Sequence, residues 1–175
     1  AKSCAVGMIV CAQGASVIQS WVDAKTNELP CFRFPEETVL HVDHSYYNDE
    51  GFNAPAFLYH TMAETLFPFS FGCAVWYQGE SNTSMAEAER YADMLRALID
   101  LWRKKDENEA LPFYVVQIAD TFDTPQWKRL QQAQSEAEDR ENKIFVIRSG
   151  DVCEKGMIHP KTKKALAERI YEEMK

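Results

Sequence analysis

The sequence lacks long apolar runs and has no excess of positive charge. No uninterrupted apolar stretch approaches the ~20 residues that a membrane-spanning helix needs, so we expect no membrane partner. The 19 Lys and Arg residues are outnumbered by 27 Asp and Glu residues, which gives a formal net charge of −8 at pH 7. Because nucleic-acid binding needs a basic face, this balance argues against a nucleic-acid partner.

The sequence also lacks the cysteine and histidine spacing of a metal site. Its five cysteines include no Cys-x-x-Cys pair, which argues against structural zinc. Because their number is odd, at least one thiol stays unpaired within the chain. His41 and His44 with Asp43 allow a metal-cluster interpretation, but their spacing is not diagnostic. We expect neither a metal nor another cofactor.

The order of predicted elements indicates an α/β fold. The 175 residues suit a single domain with a hydrophobic core. Short, nearly all-apolar segments are typical of buried parallel strands, and segments with helical periodicity lie between and after them. The predicted strands are residues 5–12, 73–77, 112–118 and 143–148, and the predicted helices are residues 54–66, 85–105, 125–140 and 160–174. This alternation predicts a three-layer α/β/α sandwich around a parallel sheet. Residues 23–51 have no clear period and are predicted to form an irregular insertion.

Polar segments follow all four predicted strands. They are AQGAS (12–16), QGESN (78–82), QIADTFD (117–123) and SGDVCEKGMIHP (149–160). The carboxyl ends of parallel strands meet at one edge of a sheet, and ligands bind at that edge in such folds. The pattern therefore favours an active site over four unrelated loops.

The QGESN segment has two interpretations. It leads into the longest predicted helix, where Ser84 with Glu87 fits a capping box. A cap alone leaves the two amides and the carboxylate of Gln78, Asn82 and Glu80 unexplained. A side-chain amide at a strand end can instead donate to the oxyanion that forms in acyl transfer.

Two further positions at this edge are candidates for catalysis. His159 is held by the following Pro160, and Asp151 lies upstream on the same loop, which suits a general base oriented by a carboxylate. The alternative for His159 is a histidine of a surface loop. Gly14 either relieves strain in a strand-to-helix turn or faces its N–H towards a substrate oxygen. The sequence leaves both interpretations of Gly14 open.

These residues and their order resemble the SGNH-hydrolase superfamily, and more closely its sialate O-acetylesterase-like branch of carbohydrate esterases. The matching pieces run from Val6 to Lys164, and WYQGESN followed by a helix ending in WR is the most specific. The others are VGMIVCAQGASVIQSW, LYHTMAETLFPFSFGCA, LPFYVVQIAD, QQAQ and IHPKTK. The resemblance implies a flavodoxin-like α/β/α fold that removes acetyl groups from sugars with a serine nucleophile and without a metal. Members of this branch are often secreted or lysosomal.

The resemblance also implies roles for individual residues. Gly14 would donate its N–H to the oxyanion, Gln78 and Asn82 would be amide donors with Glu80 as support, and His159 would be the catalytic histidine. Gln117 and Gln134 match recurrent glutamines that serve as structural hydrogen-bond partners. A sugar would rest on an aromatic platform drawn from Trp21, Tyr46, Tyr47 and Trp127, with the two tyrosines favoured because their loop is polar.

In two respects the sequence departs from the family pattern. Many members have an aspartate immediately before Ile-His-Pro, where this sequence has Met157, so the carboxylate role falls to Asp151 further up the loop. The family's nucleophile lies in an earlier Gly-Gln-Ser-Asn block, and neither Ser16 nor Ser81 has its position.

We therefore expect this chain to be the C-terminal part of an esterase whose first strand is missing here. A companion N-terminal segment or chain would carry the nucleophile serine. The alternative is a non-catalytic carbohydrate-binding domain of the same fold. A purely structural domain with capped helices would have no pocket at the strand ends.

Overall fold

The computed structural model describes residues 5–40, 51–154 and 156–175. Within them a parallel sheet contains β1 (Ala74–Trp76), β2 (Phe113–Val116) and β3 (Ile144–Ile147), in the order β1-β2-β3. The register pairs Val75 with Tyr114, and Val115 with Val146. These strands confirm the predictions for residues 73–77, 112–118 and 143–148, and each is slightly shorter than its apolar run.

The α-helices of the described residues are α1 (Met85–Lys105), α2 (Pro125–Glu136) and α3 (Lys164–Glu173). α1 has the predicted bounds, because an apolar stripe faces the core along its whole length. Ser84 caps its start by accepting a hydrogen bond from the N–H of Glu87. α2 ends before the predicted boundary at residue 140. α3 was predicted to begin at residue 160. It begins at Lys164, because the chain after Pro160 first forms a loop.

The helices cover both faces of the sheet, which makes the predicted three layers. On one face α1 and α2 pack over alternate strand residues, including Phe113 and Val115. On the other face Leu166 of α3 packs with Tyr114 and Val116. The larger core contains Trp21, Trp76 and Trp102 in edge-to-face contact, with ring centroids 6.0 and 5.9 Å apart. Burial of apolar surface on both faces holds the layers together.

Residues 5–12 do not form the buried strand that their apolar composition predicts. They have no regular secondary structure and carry no strand hydrogen bonds. Val6, Met8 and Val10 are 84%, 85% and 77% exposed. Among the described residues no strand pairs with the outer edge of β1, so this segment has no neighbour in the sheet. The prediction was wrong because an apolar run becomes a strand only where a partner strand accepts its hydrogen bonds.

The predicted helix over residues 54–66 is replaced by short helical turns. A π-helical turn spans Tyr59–Ala63 and a 3-10 turn spans Glu64–Leu66. Ala56 has a φ of 65°, which is incompatible with a right-handed helix, so the helical segment begins only after it. The turns still bury Leu58, Tyr59 and Ala63 against the core.

The described part of the predicted insertion, residues 23–40, contains short 3-10 turns at Thr26–Glu28 and Pro30–Phe32. It packs on α1, where the guanidinium of Arg90 lies 4.8 Å from the ring centroid of Phe34. Residues 41–50 lie outside the described residues. The insertion thus contributes core contacts through Phe32, which is buried.

Candidate active site

Hydrogen bonds between neighbouring strand ends assemble the edge at which the candidate residues lie. The N–H of Gln117, after β2, donates to the carbonyl of Ile147 in β3 at 3.0 Å. The hydroxyl of Ser149 donates back to the carbonyl of Gln117. The hydroxyl of Thr121 donates to the carbonyl of Met157 at 2.8 Å, which ties the loop of His159 to the end of β2.

Asn82 is fully buried and all of its amide hydrogen-bonding capacity is used inside the protein. Its Oδ1 accepts from the N–H of Ile18 at 3.0 Å and from Nε2 of Gln78 at 2.8 Å. Its Nδ2 donates to Oε1 of Gln19 at 2.9 Å and to Oε1 of Glu87 at 2.8 Å. The side chain therefore joins the segment after residues 5–12 to the start of α1.

Gln78 is committed in the same way. Its Nε2 donates to the carbonyl of Ser16 at 2.7 Å and to Oδ1 of Asn82 at 2.8 Å. Its Oε1 accepts from the hydroxyl of Tyr91 at 2.7 Å. The predicted role of Gln78 and Asn82 as oxyanion donors does not match this geometry, because both hydrogens of each amide already have protein acceptors. The two amides instead position the backbone around Ser16 and Ile18.

Glu87 completes this buried network. The sequence predicted only a capping role for it. Its carboxylate accepts from Nε2 of Gln19 at 3.1 Å, from Asn82 and from the hydroxyl of Ser84 at 2.7 Å. The cap and the network therefore share residues. The Ser-x-x-Glu spacing was the available signal, but it did not show that the carboxylate points towards Asn82.

Gly14 lies in an exposed turn, next to Ala15 with a φ of 58°. Its N–H makes no hydrogen bond with any described residue. The hydroxyl of Ser16 donates to the carbonyl of Gln13 at 2.8 Å and accepts from Nε1 of Trp21 at 2.9 Å. Gly14 thus offers a free donor, whereas the hydroxyl of Ser16 is buried and occupied.

Asp151 does not pair with His159, which corrects the predicted carboxylate–histidine pair. Nη1 and Nη2 of Arg169 donate to the two carboxylate oxygens of Asp151 at 2.8 and 2.6 Å. Hydrogen bonding to Arg169 holds the pKa of Asp151 below its usual value. The carboxylate is directed towards α3, and its side chain is 71% exposed.

Glu80 is the carboxylate whose charge interacts with His159. Burial raises the pKa of Glu80, and the positive charges of His159 and Lys163 oppose that rise. Burial and the charge of Glu80 raise the pKa of the adjacent Tyr77 to about 12. The Nζ of Lys163 lies 5.1 Å from the ring centroid of Tyr77. Glu80, His159, Lys163 and Tyr77 therefore form one cluster of electrostatically interacting side chains, on the segments that follow β1 and precede α3.

A small cavity of about 70 Å³ adjoins this cluster on the histidine loop. Its lining contains His159 together with Val152, Glu154, Met157, Lys161 and Thr162. The thiol of Cys153 contacts the carbonyl of Ile158 at 3.8 Å, and burial raises the pKa of that thiol. The exposed imidazole of His159 therefore faces a concave surface that admits a small group.

Comparison with known proteins gives this edge a context. The sequence from residue 1 to residue 174 matches the family described as carbohydrate esterase, sialic acid-specific acetylesterase. The chain belongs to this family. The match confirms the resemblance that the WYQGESN segment and its neighbours indicated.

Three similar proteins show how long this chain is relative to proteins that it resembles. The sialate O-acetylesterases of Homo sapiens and Pongo abelii are each 23% identical over 186 residues, covering 95% of this chain and 34% of theirs. A carbohydrate acetylesterase structure from Xanthomonas citri has 26% identity and a TM-score of 0.69, covering 89% of this chain and 32% of that one. The chain therefore spans about a third of the length of these relatives. The structural likeness confirms the α/β fold.

Two glutamines predicted as structural partners in this esterase fold do support the edge. The fully buried Gln134 accepts from the N–H of Ile118 at 2.9 Å and donates to the carbonyl of Gln78 at 3.0 Å. It lies so close to Gly79 that a Cβ there would come within 2.9 Å of its Nε2. Gln117 donates to the carbonyl of Gln131 at 2.7 Å. These contacts fix the turn that presents Glu80.

The aromatic residues predicted as a sugar platform for the esterase family are not available where the structure describes them. Trp21 and Trp127 are buried in the core. Tyr46 and Tyr47 lie outside the described residues. An exposed ring that sequence reasoning missed, Phe122, packs against Trp127 at this edge.

The described residues form neither a metal site nor a membrane-spanning helix. No group of three His, Cys, Asp or Glu side chains there is arranged to hold a metal ion, and His41, Asp43 and His44 fall outside those residues. Every helix in the described part of the chain is too short or too polar to cross a lipid bilayer.

Proposed function

We propose that this chain is the histidine-bearing part of a carbohydrate O-acetylesterase, of the sialate or a related type. The observation that carries the proposal is the cluster in which the exposed imidazole of His159 shares its electrostatic environment with the partly buried carboxylate of Glu80. A carboxylate that interacts electrostatically with a histidine at the carboxyl edge of a parallel sheet suits acyl transfer. The family membership and the acetylesterase names of the relatives support the same reaction.

The reaction follows from general acid–base and nucleophilic catalysis. A serine hydroxyl supplied by a companion segment attacks the acetyl carbonyl, and His159 takes the serine proton. The bond between the carbonyl carbon and the sugar oxygen then breaks, and the imidazolium protonates that oxygen. Water next attacks the acetyl-serine, its proton passes through His159 to the serine oxygen, and acetate leaves. Glu80 stabilises the imidazolium during both steps.

The oxyanion is assigned to backbone rather than side-chain amides. The N–H of Gly14 is free of partners among the described residues, and its turn is exposed at the same edge. Gln78 and Asn82 hold the carbonyl of Ser16 and the N–H of Ile18. In this proposal the two amides position the turn and Gly14 donates to the oxyanion.

A companion segment is supported by the open side of the sheet. In the described residues the outer edge of β1 has no partner strand, and Val75 is half-exposed beside it. The apolar residues 5–10 are exposed as well. Unpaired edges of this kind invite another strand. A segment inserted here would bring its serine to the carboxyl edge near His159.

The test is acetate release by the natively purified protein, run beside an intact-mass measurement. We expect a second polypeptide in the mass spectrum and hydrolysis of 4-nitrophenyl acetate that is lost in His159→Ala. Equal hydrolysis by His159→Ala and the wild-type protein would contradict the proposal. The matched control is His60→Ala, because His60 is exposed and pairs with Glu64 away from the strand ends.

A non-catalytic carbohydrate-binding domain is the second candidate. It is favoured by the state of Ser16, whose buried hydroxyl is occupied on both sides by Gln13 and Trp21. This candidate predicts a single polypeptide that binds sugars and releases no acetate, even when a serine-bearing segment of a longer family member is added.

A further inference from the structure

Phe122 is an exposed aromatic ring that the surrounding structure holds in place. It follows β2 and is 42% exposed. Its ring meets that of Trp127 edge to face, with centroids 4.9 Å apart and an interplanar angle of 83°. Trp127 is buried, and its Nε1 donates to the carbonyl of Ala119 at 2.8 Å. The ring is therefore presented to solvent on a fixed support.

The loop that carries Phe122 is joined to the loop that carries His159. The neighbouring Thr121 donates through its hydroxyl to the carbonyl of Met157 at 2.8 Å, and its own carbonyl accepts from the N–H of Gly156 at 3.3 Å. Asp120 packs against the turn at Gly150, where an added Cβ would lie 3.5 Å from the Asp120 Cβ. Phe122 thus lies at the same edge of the sheet as the candidate histidine.

Asp120 and Asp123, which flank Phe122 in the sequence, both pair with Lys128. Nζ of Lys128 lies 2.9 Å from Oδ1 of Asp120 and 3.5 Å from Oδ1 of Asp123. All of these side chains are substantially exposed, so their oxygens and nitrogen remain accessible to a ligand. The group carries two negative charges and one positive charge, which does not favour an anionic ring directly above it.

A pyranose ring matches this arrangement chemically. One face of the sugar is lined by C–H groups that pack on an aromatic ring, while its hydroxyls extend sideways to carboxylates and ammonium groups. Scattered exposed phenylalanines are ordinary on protein surfaces. Phe122 differs from them because its ring is supported by Trp127, it lies between two exposed aspartates in the sequence and its loop is hydrogen-bonded to that of His159.

We infer that Phe122, with Asp120 and Asp123, forms a subsite for the uncharged pyranose ring of the acetylated carbohydrate. The inference rests on the proposed function, because it places the sugar beside the ester-cleaving edge. The acetyl group would extend from the ring towards His159. Phe122 acts here as a binding and specificity-determining residue.

The experiment measures binding of sugars to the natively purified protein by saturation-transfer NMR and calorimetric titration. The probes are the methyl glycosides of glucose, galactose and xylose, and that of N-acetylneuraminic acid as the charged comparison. We expect binding of at least one uncharged glycoside, weakened about tenfold in Phe122→Ala and retained in Phe122→Tyr.

The matched control is Phe69→Ala. Phe69 is 61% exposed, precedes β1 at the opposite end of the strands and has no ring partner among the described residues. Phe69→Ala should bind the glycoside as the wild-type chain does. Equal weakening in both variants, or no glycoside binding by the wild-type chain at millimolar concentration, would overturn the inference.

The outcome separates this inference from the proposed function. Hydrolysis of 4-nitrophenyl acetate, an ester without a sugar, tests the acyl-transfer chemistry alone. Glycoside binding that is lost in Phe122→Ala, without hydrolysis by any preparation, would support the subsite and reject the esterase. Hydrolysis that depends on His159, with no effect of Phe122→Ala on glycoside binding, would support the esterase and reject the subsite.

Discussion

Arg169 of α3 binds both carboxylate oxygens of Asp151, at 2.8 and 2.6 Å. The same guanidinium donates to the carbonyl of Arg148 at 2.5 Å, so it joins the histidine loop to the residue that follows β3. Asp151 is therefore used to hold the loop in place. The carboxylate that interacts electrostatically with His159 is that of Glu80, on a different element.

Two carboxamide substitutions distinguish these carboxylates by activity. In an active preparation we expect Glu80→Gln to lower kcat/KM for acetate release by about a hundredfold or more, because the imidazolium loses its stabilising charge. Asp151→Asn should lower it by less than about fivefold, since it affects only the loop anchor. The measurement is initial-rate kinetics on an acetylated sugar. A larger loss in Asp151→Asn than in Glu80→Gln would reverse the assignment.

Glu80→Gln should also stabilise the chain at neutral pH. Burial raises the pKa of Glu80 in the folded state. Between the unfolded and the folded pKa, the folded state binds more protons, so stability falls as pH rises through that window. The amide carries no such penalty, and we expect a gain on the order of 1 kcal/mol or less at pH 7 that vanishes at pH 4. Urea unfolding at both pH values tests this, and an equal effect at the two would contradict it.

The buried Gln134 should matter far more for stability than its neighbour on α2, Gln132. Gln134→Ala leaves the N–H of Ile118 without a buried partner and leaves the carbonyl of Gln78 with the hydroxyl of Tyr91 as its donor, which costs about 1–3 kcal/mol. Gln132 is exposed and bonds only to Glu136, so Gln132→Ala should stay within about 0.5 kcal/mol. Denaturant unfolding of both variants gives the comparison. Similar losses would mean that Gln134 finds water as a substitute.

Gly79 is predicted to reject a side chain. Its φ is 152°, and an added Cβ would lie 2.9 Å from Nε2 of Gln134 and 3.0 Å from Cγ2 of Ile118. We expect Gly79→Ala to lower the free energy of unfolding by about 2–4 kcal/mol. Gly72→Ala is the matched control, because an added Cβ there meets no atom within 4 Å. A thermal melt of both variants would show whether the turn before Glu80 can move.

The fold was predictable where local signals and tertiary context agree. β2 and α1 were found because an apolar run and a helical stripe were each buried as their pattern predicts. Residues 5–12 have the same apolar signal as β2, yet they are exposed because burial depends on a neighbouring strand. The composition of a segment indicates its preference for a strand, but it does not show whether a neighbouring strand is present.

The candidate site was predictable by position but not by role. The polar segments do meet at one edge, and Glu80 and His159 are in it. Residue type could not reveal that the side-chain amides of Gln78 and Asn82 donate to acceptors inside the protein. Nor could it reveal that Arg169 donates to the carboxylate of Asp151. Such roles depend on which partner lies within about 3 Å, and that is a property of the folded chain.

The unpaired outer edge of β1 among the described residues affects how stable the protein is against degradation in a cell. In the described residues the edge of β1 is unpaired and the apolar residues 5–10 are exposed, and such surfaces are recognised by chaperones and proteases until another segment covers them. In our proposal the companion segment covers them, so the steady-state abundance of this chain should follow the supply of that segment. Cells that make it alone should degrade it or deposit it in inclusion bodies.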